Sequence, residues 1–505
     1  MLASVLAQVE SEFVRPHIDW HAVAPELMLL GVGALLTLID IAWLERGRKY
    51  MASLAGIGLL LPLIPIATLA IDGQTRVMFN GAYVVDKYAL LLKALFLISG
   101  YVVVLLSTNY IAEGDYWENE YYGLLVSSLL GMVVMASARD LITIFVALEL
   151  LSIPAYMLAT WRKRDVRSNE AGLKYYLMGV FASAIMLYGM SLVFGVAGTT
   201  LLADMNEALS SADDSAPVIT LGIIFVIVGF AFKVSAFPFH MWSPDTYEGA
   251  PTPVTAFLAV ASKAAGFVAL MNLVVVGFLG RDDVFQPMIW VLAVGSMTFG
   301  NVMALRQKNI VRLMAYSGVA QAGFILAPLA VAGEGVDLAD KSVTAVLTYL
   351  VIYAAMNLGA FAVIIAVSRK TRTGDIESYN GLFSYAPSLA VLMTLFLASL
   401  AGIPPLGGWF AKFSVFTSLT SADTIAGYVL AVIAAINAVI AFGYYGRLAL
   451  RMWVEEPYLG DRSPIRVPVA LVSALVLTSV VTVAFGVAPG FVTHFTDVSL
   501  LAGGS

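Results

Sequence analysis

The sequence contains no cysteine and only four histidines among its 505 residues. Disulfides, thiolate-bound zinc and cysteine-ligated iron–sulfur clusters are thereby removed, and the histidines are too scattered to form a haem pair. Charge is also scarce: 12% of residues are charged and 60% are hydrophobic, with a net charge of -6. No basic block of the length a nucleic-acid patch needs is present, which excludes that class of partner. Equally missing are a phosphate loop of the G-x-x-x-x-G-K-[ST] type and a dinucleotide fingerprint. The opening stretch "MLASVLAQVESEFVRPHIDWHA" carries acids early and has no long apolar run before a small-residue cleavage site, so it does not read as a signal peptide. The chain is expected to carry no electrons, no cofactor and no metal of its own.

What is there is apolar sequence. Runs of about twenty apolar residues recur from end to end, the length a helix needs to cross a ~30 Å hydrocarbon core. The expected fold is an all-α polytopic membrane protein with about fourteen spans. They fall near 23–44, 52–71, 83–107, 121–137, 140–160, 171–198, 218–242, 253–279, 287–305, 313–332, 342–368, 386–418, 424–452 and 467–487. Loops after odd-numbered spans are basic ("ERGRK", "WRKRDVR", "RQKNIVR", "SRKTRTGD"). Those after even-numbered spans include "LADMNEALSSADDS", "GRDD" and "GEGVDLADK". The positive-inside rule then puts the basic set in the cytoplasm and both termini outside. No stretch between spans is long enough for a soluble domain, so the lipid bilayer is the first partner.

Within this apolar chain five ionisable residues sit inside or at the edge of spans: Glu149, Lys174, Lys233, Lys263 and Lys412. A charge at the centre of a membrane helix costs about 2.5–3.5 kcal/mol on insertion scales, so it is kept where a partner or a wet cavity receives it. Glu149, in "LITIFVALELLSIPAYML", is near mid-membrane, and its side chain is too short to reach water. Lys233 and Lys263 are similarly central. Lys174 lies beside a basic loop, where an ordinary snorkelling lysine explains it as well as a functional one. Lys93 and Asp40 also fall in hydrophobic stretches, and no motif gives them more than a structural part.

Backbone punctuation accompanies the lysines. Pro238 follows Lys233 in "FPFHMWSPDTYEGAPTP", and Pro404, Pro405, Gly407 and Gly408 precede Lys412 in "GIPPLGGW". Adjacent prolines cannot both continue a helix, so the twelfth span is expected to be broken. Irregular backbone at membrane depth survives where protein or a water-lined cavity satisfies it, as at the ion sites of transporters. "KVSAF" from Lys233 and "KFSVF" from Lys412 echo one another about five helices apart. An odd number of intervening helices would insert the second copy upside down, the trace of an inverted internal repeat.

"LELLSIPAYML", "FPFHMWSPDTYEGAPTPVTAFLAVASKAAGF", "MAYSGVAQAGFIL" and "GIPPLGGWFAKF" resemble the antiporter-like membrane subunits of respiratory complex I, and among them the subunit N branch. The resemblance spans about residues 83 to 452. It implies a three-helix segment (1–120), two inverted five-helix repeats (121–285 and 286–452) with helices 7 and 12 broken, and a last helix and tail (453–505). It also implies that Glu149, Lys174, Lys233, Lys263 and Lys412 match the family's proton-transfer residues. Lysine at 412 argues against subunit M, and the short C-terminus against subunit L. Partners implied are the antiporter-like subunit M and the small subunits K and J. NADH, FMN, iron–sulfur clusters and quinone belong to partner subunits, and the setting is a bacterial inner membrane.

Three other readings compete. An Mrp-type cation/proton antiporter subunit would use the same buried lysines. A scaffold would use them only to hold helices together. A quinone site on this chain has little support, because its aromatic residues are spread widely.

Overall fold

A backbone amide in hydrocarbon has to be satisfied within its own segment, so long apolar runs of this chain become helices. At some run ends a polar side chain supplies the cap. The computed structural model describes residues 18–47, 50–114, 118–212, 217–460 and 462–500. Most of the opening segment read above for a signal peptide, part of the "ERGRK" loop and the extreme chain ends lie outside the described residues.

The helices are α1 (Ala24–Gly47), α2 (Met51–Asp72), α3 (Lys87–Glu113), α4 (Glu118–Ser137), α5 (Leu141–Ala159), α6 (Val166–Ala197) and α7 (Pro217–Lys233). They continue with α8 (Thr252–Gly277), α9 (Asp282–Ala304), α10 (Ile310–Leu326), α11 (Val336–Thr371), α12 (Pro387–Ala401), α13 (Ile425–Val454) and α14 (Val469–Val487). Among the described residues twelve are long and apolar enough to cross a membrane, while α7 and α12 are shorter. Asp140 caps α5 by accepting from the amides of Ile142 and Thr143, both at 2.9 Å. Asn309 caps α10 in the same way, from Val311 at 2.8 Å and Arg312 at 3.2 Å. Each cap satisfies amides that the first helical turn leaves without a partner.

The two short helices are the interrupted ones. α7 stops at Lys233, residues 234–241 are irregular, and a short helix, Trp242–Gly249, follows. α12 stops at Ala401, and a second helix, Gly407–Ser421, begins after the Gly402–Leu406 break. Pro238 lies in the first break and Pro404 and Pro405 in the second, each break containing a cis X–Pro bond. Gly407 and Gly408 do not break the helix. They open its second half, where Gly408 approaches Ser399 so closely that an added Cβ would lie 1.8 Å from the Ser399 carbonyl oxygen.

Two local features differ from the sequence expectation. The span expected from residue 83 begins instead as an antiparallel hairpin, β1 (Arg76–Met78) with β2 (Tyr83–Val85), in register Arg76↔Val85. Asp86 accepts from Ala89 N at 2.7 Å and so defers the helix to Lys87. The acidic "LADMNEALSSADDS" loop contains a helix, Leu202–Ser211, because Leu202, Met205 and Leu209 share one buried face at three- and four-residue spacing.

Burial is concentrated in α8, α10 and α11. The most apolar windows of these helices are 94%, 100% and 94% buried, against 17% for α1 and 28% each for α6 and α13. Those three therefore form the centre of the bundle, and the candidate site runs along them. α8 is wound more loosely in two places, with π-helical stretches at Leu258–Ser262 and Asn272–Gly277. Such π-bulges leave a backbone carbonyl without its usual partner and recur at functional positions.

Candidate functional site

Lys233 is the final residue of α7, at the negative pole of the helix dipole, an end that favours a cation. Its Nζ donates to Ser152 Oγ of α5 at 2.8 Å and lies 3.4 Å from the Tyr175 hydroxyl of α6. Ser152 passes its own hydrogen to Leu148 O at 2.6 Å, so its lone pairs are free to receive the ammonium. Tyr175 is held by stacking on Trp242, with ring centroids 4.5 Å apart, and Trp242 is anchored through its indole N–H to Phe232 O at 3.0 Å. The short helix after the break thus builds a wall of the Lys233 pocket.

Glu149 sits one turn before Ser152 on α5 and is half-buried. Its carboxylate accepts from Ser183 Oγ of α6 at 2.7 Å. Among the described residues it makes no ion pair within 4 Å of Lys233. The acid and the amine are thus separated by a turn of α5 and not in contact.

Lys263 starts the regular part of α8 after the first π stretch and is 2% exposed. Its Nζ donates to Gly318 O of α10 at 3.0 Å and lies 5.9 Å from the centre of the Tyr247 ring. Beyond it, α10, α11 and α13 bring together hydroxyl and amide groups. Ser317 and Tyr445 share a hydrogen bond, Gln321 Nε2 lies 3.3 Å from the Tyr445 hydroxyl, and Tyr349 donates to Gln321 Oε1. Gln321 also donates to Leu400 O at 3.2 Å, one residue before the end of α12. The terminal carbonyl of α12, Ala401 O, receives Lys412 Nζ at 2.7 Å. The end of α12 therefore faces an amine with its negative pole turned to it, while α7 carries its amine on its own last residue and sends it to α5.

Glycine makes room for each amine. An added Cβ at Gly266 would lie 3.0 Å from Lys233 Cγ, at Gly318 3.0 Å from Lys263 Nζ, and at Gly402 2.9 Å from Lys412 Cδ. Gly402 also has φ +91, a left-handed conformation that other residues rarely adopt.

Lys174 stands apart. Its Nζ pairs with Asp245 and Glu170, each at 2.8 Å, and its side chain is 44% exposed. Asp245 is shared with Arg312 at 2.8 Å, and Arg312 reaches Glu248 at 2.9 Å. Burial alone would raise the Asp245 carboxyl, but hydrogen bonds and charge from Lys174 and Arg312 outweigh it and hold the group below the usual aspartate range. This network ties α6 to α10 through the Trp242–Gly249 helix.

Sequence reasoning missed the partners Ser152, Tyr175, Gln321, Tyr349 and Tyr445 and the three glycines. A signal existed for part of this set: Ser317 and Gln321 are four residues apart and share a face of an otherwise apolar helix.

Buried amines at interrupted membrane helices define an antiporter-like class of membrane protein. The family described as NADH:quinone oxidoreductase/Mrp antiporter, transmembrane, matches residues 138–438. Subunit N of NADH-quinone oxidoreductase from Trichlorobacter lovleyi is 37% identical over 95% of this chain and 96% of its own length. The same subunit from Desulforamulus reducens is 40% identical over 94% of this chain and 96% of its own. A chain of respiratory complex I from Thermus thermophilus superposes with a TM-score of 0.77 at 30% identity, covering 93% of this chain and 98% of that one. A chain of the Mrp complex from Dietzia gives 0.83 at 19% identity, over 95% and 97%, a likeness of fold alone. The chain belongs to the family of NADH-quinone oxidoreductase subunit N.

Proposed function

We propose that this chain is the proton-translocating membrane subunit N of a bacterial respiratory complex I, and that it moves protons through Glu149, Lys233, Lys263 and Lys412. The observation that carries the reading is the burial of three lysine amines, each on a neutral oxygen acceptor at 2.7–3.0 Å. An amine so held is stable with its proton and tolerable without it, since no fixed carboxylate in contact demands a permanent cation. Protons enter from the cytoplasmic side to Lys233, whose charge balance Glu149 sets from the next turn of α5. They pass to Lys263 and along the Ser317, Tyr445, Gln321 and Tyr349 groups, and Lys412 releases them outward. Hydroxyl and amide groups can both donate and accept, which lets them relay a proton with intervening water.

Lys174 serves this route from its edge. Held by Asp245, it fixes the Trp242–Gly249 helix that walls the Lys233 pocket, and so acts as a charge relay or a positioning residue. Moving one charge across the membrane works against about 2.3 kcal/mol per 100 mV. That energy is supplied in partner subunits, where NADH, FMN, iron–sulfur clusters and quinone reside, with subunits M, K and J as neighbours. Fourteen spans, counting α7 and α12, put both termini on the outer side, and residues 121–285 and 286–452 form two inverted repeats.

The alternative, an Mrp-type antiporter subunit, is weaker because the Mrp likeness is one of fold. Deleting the chain from its host separates the two: loss of NADH:quinone activity from membranes with unchanged sodium tolerance at alkaline pH supports the complex I reading. The opposite pattern would sink it.

A further inference from the structure

One fully buried amine has no part in the route above. Lys93, in the second turn of α3, is 0% exposed. Its Nζ lies 2.7 Å from Glu26 Oε1 of α1 and 3.4 Å from the hydroxyl of Tyr83 in β2. Tyr83 donates to the same Glu26 oxygen at 2.6 Å. Three separate elements thus close a triangle of carboxylate, phenol and ammonium.

A static clamp explains this poorly. Desolvating two charges commonly costs as much as their attraction returns, and an apolar contact between α1 and α3 would hold the helices as well. The surroundings are also incompletely satisfied. Glu26 Oε2 and Asn272 Oδ1 are buried without hydrogen-bond partners among the described residues. Buried polar atoms of this kind are normally completed by water. Asn272 opens the second π stretch of α8, the helix that carries Lys263, and donates to Ala138 O at 3.1 Å. Tyr83 bridges to the same Ala138 backbone. The Asp86–Arg139 pair, at 3.2 Å, flanks the cluster with no net charge.

We propose that Glu26, Tyr83 and Lys93 form a second outward proton-release station, fed along α8 and working beside the exit at Lys412. The Tyr83 hydroxyl gives its proton to the Glu26 carboxylate as it takes one from the Lys93 ammonium, leaving an amine, a phenol and a carboxylic acid. Glu26 then gives that proton to the outer water, and Lys93 takes another from the Asn272 end of α8. One proton crosses per cycle and every group returns to its starting state. The inference rests on the proton-translocating reading and the orientation given under Proposed function.

The test uses complete complex carrying a variant chain, reconstituted in proteoliposomes, with protons moved per NADH oxidised measured beside assembly on native gels. Tyr83→Phe keeps both charges and removes the phenol relay. Lys93→Met with Glu26→Gln removes both charges together, and Glu26→Asp keeps a carboxylate. The expected result is a loss of protons per NADH in the first two and recovery toward normal with Glu26→Asp. A normal ratio in assembled Tyr83→Phe and in the double variant overturns the proposal, and if the double variant does not assemble, Tyr83→Phe alone decides. Lys233→Met run in parallel separates the two failures. A normal ratio there sinks the translocation reading itself, whereas a loss there with none at Tyr83→Phe overturns only the release station.

Discussion

Gly318→Ala sets two effects of known size against each other at the Lys263 amine. In a helix interior alanine is favoured over glycine by about 0.8–1 kcal/mol. The new Cβ, however, would lie 3.0 Å from Lys263 Nζ and 3.4 Å from the Tyr353 hydroxyl, so the ammonium must retreat from the Gly318 carbonyl that it now meets at 3.0 Å. A hydrogen bond to a charged group contributes about 1.5–3 kcal/mol. Losing most of it outweighs the propensity gain and leaves a net loss of roughly 0.5–2 kcal/mol. Gly195→Ala in α6 is the matched control, since nothing lies within 4 Å of its added Cβ and only the gain applies. The assay is heat resistance of the assembled complex in detergent together with protons moved per NADH. Gly318→Ala should lower both, while Gly195→Ala should lower neither. Wild-type pumping and heat resistance in Gly318→Ala would refute the claim that the Lys263 amine is confined against α10.

Gly402→Ala combines a clash with Lys412 and a left-handed backbone that costs an L-residue about 1–2 kcal/mol, so it should be more damaging than Gly318→Ala on the same heat-resistance assay. Ser152→Ala removes the shorter partner of Lys233, and pumping should fall severalfold while native gels show normal assembly. Asp245, held below its ordinary range, contributes stability that is present above a pH of about 4 and is lost as pH falls through the lowered value. Acid titration of the purified complex should therefore show a loosening step near or below pH 4 that Asp245→Asn lacks, and identical acid profiles would contradict the assigned network. Arg312→Met should weaken the same tie between α6 and α10, seen as faster protease cleavage after Lys163.

The ionisable residues were legible in the sequence because charge in an apolar run is costly and therefore conspicuous. Lys233, Lys263 and Lys412 stand out for that reason, and the structure buries all three. The interruptions after Lys233 and before Gly407 were legible because proline removes an amide donor. What receives each amine was not legible. Ser152, the Gly318 carbonyl and the Ala401 carbonyl are ordinary groups whose importance comes from a tertiary approach between helices far apart in the chain. Glycine in a membrane helix is common enough that Gly266, Gly318 and Gly402 carry no local mark. The Leu202–Ser211 helix was hidden by its acidic, serine-rich composition, although its apolar residues keep helical spacing. Lys93 was visible, but its partner Glu26 lies on another helix, and no local pattern links the two.

Under the proposed function, amines desolvated at the breaks in the membrane helices bind and release protons. Lys233→Met keeps much of the apolar volume of the side chain and removes the protonatable nitrogen. Protons moved per NADH oxidised, measured in proteoliposomes with that variant in a fully assembled complex, should fall well below wild type. An unchanged ratio would contradict the account.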